Sequence, residues 1–417
     1  MKKAYKFVLT VIGLLFLFVV GNLAFWIFRP NMNYIEPDLD LESWKVPNDA
    51  PHNAFTDMVS WNGYHYLTYR SAPFHGSTAQ SKIKVVRSTD FVNWEEVEEF
   101  SSQGNDIRDP KFGIIGTRLF VYIVVRVAGV EAKIQSYYSY TEDGTDWIAL
   151  EEPEPEDLRF WRPKTFDNLM WYCPIFVQGD LGLYNSTDGI NWDKVSTIYD
   201  GEEADETDME FLPDGRILCT IRQQLGTATF GNNKRTTIIA VSNAQYTKWD
   251  YEKSDLTRLD GPCLFSYDNR IYAVARYQPE VDNAFQQIGS VLSRKRTALY
   301  LVEDDKLVHI SNLPSGGDTS YPAAVISDDW VYISYYTNDF IYDYPWIIGM
   351  EMPTHIRIAK IKLSKLEDLA EEKLEKYAEN LTYSSFPWLD YIVFFGVLAG
   401  CVLIGCKISS SQNLNIL

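Results

Sequence analysis

The segment Leu181-Gly182-Leu183-Tyr184-Asn185-Ser186-Thr187-Asp188-Gly189-Ile190-Asn191-Trp192 decides the fold. A short apolar strand pattern runs into Ser-x-Asp-Gly-x-x-Trp. The hydroxyl and the carboxylate can accept hydrogen bonds from the amides of a tight turn, the glycine allows positive φ, and the indole can fold back onto the strands. The phrase recurs at Thr141-Glu142-Asp143-Gly144 with Trp147, at Ser88-Thr89-Asp90 with Trp94, and in degenerate form from Ser242 to Trp249. Around these copies lie pairs of β-patterned segments. Ala54–Trp61 and Tyr64–Arg70 flank Asn62-Gly63, Asp109–Ile115 and Arg118–Arg126 flank Gly116, and Arg162–Phe166 and Leu169–Val177 flank Asp167-Asn168. Asp208–Leu212 and Arg216–Arg222 flank Asp214-Gly215, Gly261–Tyr267 and Arg270–Arg276 flank Asp268-Asn269, and Ser320–Ser327 and Trp330–Tyr336 flank Asp328-Asp329. Asn-Gly and Asp-Gly are hairpin turns, where positive φ is needed. Further strands follow at Thr297–Val302 and His355–Ile361. Four strands in each of six units of about fifty residues predict an all-β fold, a six-bladed β-propeller over residues 50–363. A β-sandwich does not need this period, and a β-helix repeat is shorter.

The flanks read differently. Phe7 to Phe28 carries no formal charge and follows Lys2, Lys3 and Lys6. That is long enough to cross a hydrocarbon core of about 30 Å, with the N-terminus cytoplasmic by the positive-inside rule. A cleaved signal peptide is the rival reading, but its apolar region is usually shorter, about 7–15 residues. A second apolar run, Trp388 to Cys406, is broken only by Asp390 and followed by Lys407. The expected organisation is therefore an N-terminal anchor (1–29), a linker (30–49), the propeller (50–363), a short helical linker (364–387), a C-terminal transmembrane helix (388–407) and a tail (408–417). Both termini would be cytoplasmic and the propeller extracytoplasmic, with the lipid bilayer as a partner through two anchors.

Composition narrows the function classes. Of 417 residues, 38 are Lys or Arg and 57 are Asp or Glu, a formal net charge of −19. Phosphate repels such a chain, so nucleic acid is excluded as a general partner. The 27 Tyr, 22 Phe and 12 Trp suit strands and sugar-facing surfaces. Cys173, Cys219 and Cys263 are isolated and read as buried strand residues, and no Cys/His spacing suggests a metal site or a cofactor.

Propeller geometry selects candidate ligand-binding residues. The start of each first strand and the end of each second strand border one central mouth. Those positions give Asn53, Arg70, His75, Asp106, Arg108, Asp109, Arg126, Trp161, Arg162, Glu206, Asp208, Arg222, Asp260, Arg276, Asp318 and Tyr321. Arginines in an acidic protein point to an anionic ligand, because a guanidinium grips a carboxylate through two parallel hydrogen bonds. Each also has a plain structural reading. Asp109 could pair with a neighbouring arginine, Arg126 could be a strand-end charge, His75 a loop residue and Tyr321 a core tyrosine.

The Ser-x-Asp-Gly-x-x-Trp phrases resemble the Asp boxes, or BNR repeats, of the sialidase superfamily, over roughly residues 50–363. The chain looks like a divergent, membrane-anchored member. The resemblance implies a glycoside hydrolase with a tyrosine nucleophile, an exception among glycosidases. Tyr321 in Thr319-Ser320-Tyr321-Pro322 resembles that nucleophile. Glu206 resembles the base that activates it, and Arg222 and Arg276 resemble members of the arginine triad that holds the sugar carboxylate. A neutral tyrosine suits an anionic sugar, which would repel a carboxylate nucleophile. His52-Asn53-Ala54-Phe55 stands where the first triad arginine belongs, so Arg70 or Arg108 would substitute. The loop from Ser71 to Ser81 offers His75 but no carboxylate, so Asp106 or Asp109 would supply the acid. Arg162 and Trp161 complete the expected wall.

Arg108-Asp109-Pro110 and Ser88-Thr89-Asp90-Phe91-Val92-Asn93-Trp94 also look like motifs of the five-bladed glycosidases of fructosides and arabinosides. Those work with three carboxylates, of which Asp109 and Glu206 could be two. Six repeats count against that reading. A third possibility is a non-catalytic propeller that binds a glycan or an envelope partner, and a fourth is a structural member of a membrane complex.

Overall fold

A computed structural model describes residues 2–48, 50–127, 133–177, 180–201, 204–223, 236–254, 256–278, 291–377 and 395–401. The chain is mostly β, in antiparallel meanders. After β1 (Glu42–Lys45) come β2 (His52–Trp61), β3 (Tyr64–Ala72), β4 (Lys82–Ser88) and β5 (Glu95–Phe100). Next are β6 (Asp106–Ile115), β7 (Arg118–Arg126) and β8 (Ile134–Thr141). The short β9 (Arg159–Phe160) and β10 (Lys164–Thr165) both pair with β11 (Trp171–Val177), which leads to β12 (Asp180–Ser186) and β13 (Asp193–Tyr199). β14 (Ala204–Phe211), β15 (Ile217–Gln223), β16 (Thr237–Ser242) and β17 (Trp249–Ser254) follow. Then come β18 (Asp260–Tyr267), β19 (Arg270–Tyr277), β20 (Arg296–Val302) and β21 (Leu307–Asn312). The last meander is β22 (Thr319–Ser327), β23 (Trp330–Asn338) and β24 (Thr354–Lys362), with β1 paired to β24.

Four meanders, β6–β8, β9–β13, β14–β17 and β18–β21, are separate sheets and form four blades of a propeller-like arrangement. The last meander and β2–β5 run together as one eight-stranded sheet, through the parallel pairing of His52 with Thr354. First strands pack side by side. β2 lies against β22 and β6, and β18 against β14 and β22. Pro163, beside β10, fills the space over Gly113 of β6.

The predicted turns form for the predicted reasons. Asn62 and Gly63 have φ of 48° and 80°, and Asp268 and Asn269 have 46° and 62°. At Asp188, Oδ1 accepts the amides of Ile190 and Asn191, each at 2.8 Å, and Ser186 Oγ accepts the amide of Gly189 at 2.9 Å. The turn also joins neighbours. Tyr122 Oη in β7 donates to the Gly189 carbonyl at 2.8 Å, and Trp192 stacks edgewise on Phe160 of β9. The expected Arg162–Phe166 strand shrinks to β10. Pro163 has no N–H to give, and Arg162 is drawn into the centre. Cys173, Cys219 and Cys263 are buried on β11, β15 and β18.

Two helices bracket the sheets. α1 (Lys2–Phe28) is long and apolar enough to cross a membrane or to be a signal sequence, and its apolar window is not buried. Its end is tied down. Asp343 accepts Arg29 Nη2 at 3.2 Å and Arg296 Nη1 at 2.7 Å, and Arg294 Nη2 donates to the Trp26 carbonyl at 2.5 Å. Of the second apolar run, residues 395–401 are described and helical, with Val397 against Gly21 of α1, while the rest of Trp388–Cys406 lies outside the described residues. The one-turn α2 (Trp346–Gly349) follows β23, and α3 (Leu363–Glu375) buries Leu363, Leu366, Leu369 and Ala370 against the last two meanders, overlapping the predicted 364–387 linker.

Candidate active site

A repeated irregularity builds the site. In β2, β6, β14, β18 and β22 the ladder slips by one residue, between Ala54 and Asp57, Arg108 and Lys111, Ala204 and Thr207, Asp260 and Cys263, and Ser320 and Ala323. Each is a β-bulge, which re-aims a side chain. The bulged residues include Phe55, Asp109, Glu206, Gly261 and Tyr321. Four of them have left-handed backbones: Phe55 (φ 57°), Asp109 (50°), Gly261 (59°) and Tyr321 (48°). For the three non-glycines this is a strained conformation of the kind found at functional sites. Proline follows in Asp109-Pro110, Gly261-Pro262 and Tyr321-Pro322, where the bulge requires no amide in the ladder.

The bulges surround a cavity of about 520 Å³. Its wall includes Tyr321, Glu206, Asp109, Arg222, Arg276, Arg108, His75 and Trp161. Nine of the predicted site residues, Arg126 among them, therefore converge. Arg70, Asp106 and Arg162 do not line it, and neither do Asn53, Asp208, Asp260 and Asp318. Arg70 donates to the Phe74 carbonyl at 3.1 Å, the Gly76 carbonyl and the Asp106 carboxylate, both at 2.8 Å. Asp106 is held between Arg70 and Arg108, whose charges keep its carboxyl low against the opposing effect of burial. Arg162 lies at the hub, where Nε donates to Asp57 at 2.6 Å, Nη1 to Asp208 at 3.1 Å and to the Pro262 carbonyl at 2.8 Å, and Nη2 to the Pro322 carbonyl at 2.6 Å.

Tyr321 and Glu206 meet directly. The phenol donates a short hydrogen bond to Glu206 Oε1, and Glu206 Oε2 accepts the Gly261 amide. Arg222 Nη1 stands 2.8 Å from Glu206 Oε1, and Nη2 donates to Asp205 at 2.7 Å. Burial raises the Glu206 carboxyl above its usual range, although Arg222 pulls it down. Burial, and then Glu206 and Asp109, hold the Tyr321 phenol well above its ordinary value. The phenol is thus neutral, and its proton points at a carboxylate oxygen of Glu206. Asp109 Oδ1 is buried without a hydrogen-bond partner among the described residues.

The arginines are arranged around buried acids. Arg276 donates to the Thr319 carbonyl at 2.8 Å and to Tyr336 Oη at 3.1 Å, and lies 3.5 Å from Asp260. Arg258 grips Asp260 with bonds of 2.6 and 2.9 Å. Despite burial, Arg258, Arg222 and Arg276 hold the Asp260 carboxyl far below its usual range. Arg258, Arg159, Asp205 and Trp346 line the cavity and were not singled out from the sequence. Arg258-x-Asp260 is a same-face pair that a strand reading could have found. Trp346 comes from the connection after β23, which has no periodic signal.

His52, His75 and Asp318 bring their ligand atoms within 4.8 Å of one another. The carboxylate is fully engaged in hydrogen bonds. Oδ2 accepts His75 Nδ1 at 2.6 Å and His52 Nε2 at 3.0 Å, and Oδ1 accepts Trp346 Nε1 at 2.8 Å and Tyr336 Oη at 3.0 Å. With the Arg276 guanidinium 3.7 Å away, this is a carboxylate bonded to imidazoles and not a cation site.

Solved structures share this propeller-like fold, and sialidases are among them. A protein of unknown function from Dyadobacter fermentans is 18% identical with a TM-score of 0.59, over 78% of this chain and all of that one. The endosialidase of phage phi92 is 12% identical with a TM-score of 0.58, over 78% of this chain and 69% of that one. Trypanosoma rangeli sialidase in complex with sialic acid is 11% identical with a TM-score of 0.53, over 83% of this chain and 59% of that one. No family model and no curated protein matches the sequence.

Proposed function

We propose that the protein is a membrane-anchored sialidase-like glycoside hydrolase acting on glycans outside the cytoplasm. Tyr321 is the nucleophile, Glu206 its base, and Arg222, Arg276 and Arg108 the clamp for an anionic sugar, with Trp161 as an apolar wall. One observation carries the reading: the Tyr321 phenol is bonded to Glu206 inside a cavity lined by arginines. Two groups on that wall can protonate the departing oxygen, Asp109 and His75. Counting the eight-stranded sheet as two blades gives a six-bladed propeller, and the contact of Val397 with Gly21 favours two adjacent anchors. The propeller occupies 50–363, and the two anchors 1–29 and 388–407.

The test is turnover of anionic and neutral aryl glycosides by wild type and Tyr321→Phe. Release from the anionic substrate by wild type alone is expected, and equal release by both removes the nucleophile. A non-catalytic glycan-binding propeller is the second reading, favoured by the pairing of Arg258 and Arg222 with protein carboxylates. Saturable glycan binding without turnover would support it. Asp109 and Glu206 also keep open a carboxylate-based glycosidase resembling fructosidases, which turnover of the neutral substrates alone would favour.

A further inference from the structure

The geometry points to His75, oriented by Asp318, as the proton donor and acceptor of this site. The inference rests on the hydrolase reading above.

The loop that carries His75 is built to present it. Arg70 donates to the carbonyls on either side, Phe74 and Gly76, and the His75 amide donates to the Met350 carbonyl at 3.1 Å. The ring is fixed as well. Nδ1–H donates to Asp318 Oδ2 at 2.6 Å, while no described residue bonds Nε2 and the side chain lines the cavity. Phe55 spans the gap to the nucleophile, with its ring centroid 5.3 Å from that of His75 and 4.7 Å from that of Tyr321. Asp318 is completely buried, and its charge faces both imidazoles. A carboxylate on one ring nitrogen fixes the tautomer and stabilises the imidazolium, leaving the other nitrogen to exchange a proton with substrate. His52 cannot share this work, because its ring is buried and burial favours its neutral form. Asp109 reaches the cavity, but no described residue bonds its buried Oδ1.

The step balances as follows. Tyr321 Oη forms a bond to the anomeric carbon while its proton passes to Glu206. The bond from that carbon to the leaving oxygen breaks, and the leaving oxygen takes the Nε2 proton of the His75 imidazolium. In the second half, neutral His75 Nε2 removes a proton from the water that attacks the anomeric carbon. The bond to Tyr321 breaks and Glu206 returns its proton to the phenolate. Asp318 remains ionised and acts as a positioning residue.

The test compares a 4-nitrophenyl sialoside, whose leaving group needs no proton, with an alkyl sialoside, which does. The full-length wild-type chain, His75→Gln, Asp318→Asn and Asp109→Asn are assayed on both. His75→Gln is expected to lose about 10²–10⁴-fold on the alkyl substrate and far less on the nitrophenyl one. Asp318→Asn should show the same selectivity, which loss of structure alone would not produce. Should Asp318→Asn fail to fold, His75→Gln decides the matter alone. Equal losses on both substrates for His75→Gln, or selectivity that moves to Asp109→Asn, overturn the assignment and leave the hydrolase reading standing. A wild type inactive on both substrates removes both.

Discussion

Replacing Arg162 with methionine should destabilise the fold by about 3–5 kcal/mol, the scale of breaking a buried ion pair. Four hydrogen bonds from this side chain reach Asp57 on β2, Asp208 on β14, the Pro262 carbonyl on β18 and the Pro322 carbonyl on β22. The substitution leaves two buried carboxylates without their main cation and two carbonyls without a donor, each lost bond being worth about 1 kcal/mol net. Some compensation remains in place. Asp57 keeps the Phe112 amide at 2.6 Å, Asp208 keeps the Leu264 amide at 2.8 Å, and Lys164 stands 3.8 Å from Asp208. Against a total stability of about 5–15 kcal/mol, the loss is large. At about 2 °C per kcal/mol for a domain of this size, the melting temperature should fall by roughly 6–10 °C. Tryptophan fluorescence during thermal unfolding of the purified full chain measures it. An unchanged melting temperature with weakened glycan affinity would refute the reasoning and return Arg162 to a binding role.

His309 is buried on β21, bonded to Asn312 at 2.9 Å, and burial pushes its pKa down from 6.5 to about 4. Between those values the unfolded chain binds a proton that the fold excludes, so stability should decline as pH falls from about 6.5 to about 4. Unfolding midpoints across that window should flatten in His309→Gln, and an unaltered slope would contradict this. A Cβ at Gly261 would lie 2.7 Å from Tyr321 Cδ2 in a left-handed backbone. Gly261→Ala should therefore displace the nucleophile and lower turnover at least tenfold, since misplacement by about 1 Å can cost about 10²-fold. Full activity would show that the ring is free to move.

Much of the fold was legible because turns write themselves locally. Asn62-Gly63 and Asp268-Asn269 require positive φ whatever surrounds them, and Asp188 satisfies amides within three residues of itself. The site was legible only in outline. Strand ends placed Arg222, Arg276, Glu206 and Tyr321 near one mouth, and they line one cavity. The same rule cannot tell which side of a bulge a residue leaves from. Arg162, between β9 and β10, belongs to the hub, where its partners lie 46 to 160 positions away, and Arg70 belongs to a cage of loop carbonyls. The prolines at 110, 262 and 322 were the available signal, since proline in an inner strand marks such a slip. Strand ends put His75 and Asp318 near the same mouth, but the bond between them spans 243 positions and no local pattern pairs the two.

The pairing of β1 with β24 has a consequence for synthesis. Ser43 meets Arg357 across 314 positions, and Trp44 meets Ile358 in the same ladder. At about 5–20 residues per second, the early strand waits about 15–60 s for its mate to leave the ribosome. During that wait it is an open edge on a nascent chain, and its brevity and its flanking Glu42 and Lys45 are what discourage a stranger from taking the place. The belt is fastened last by the end that was made first.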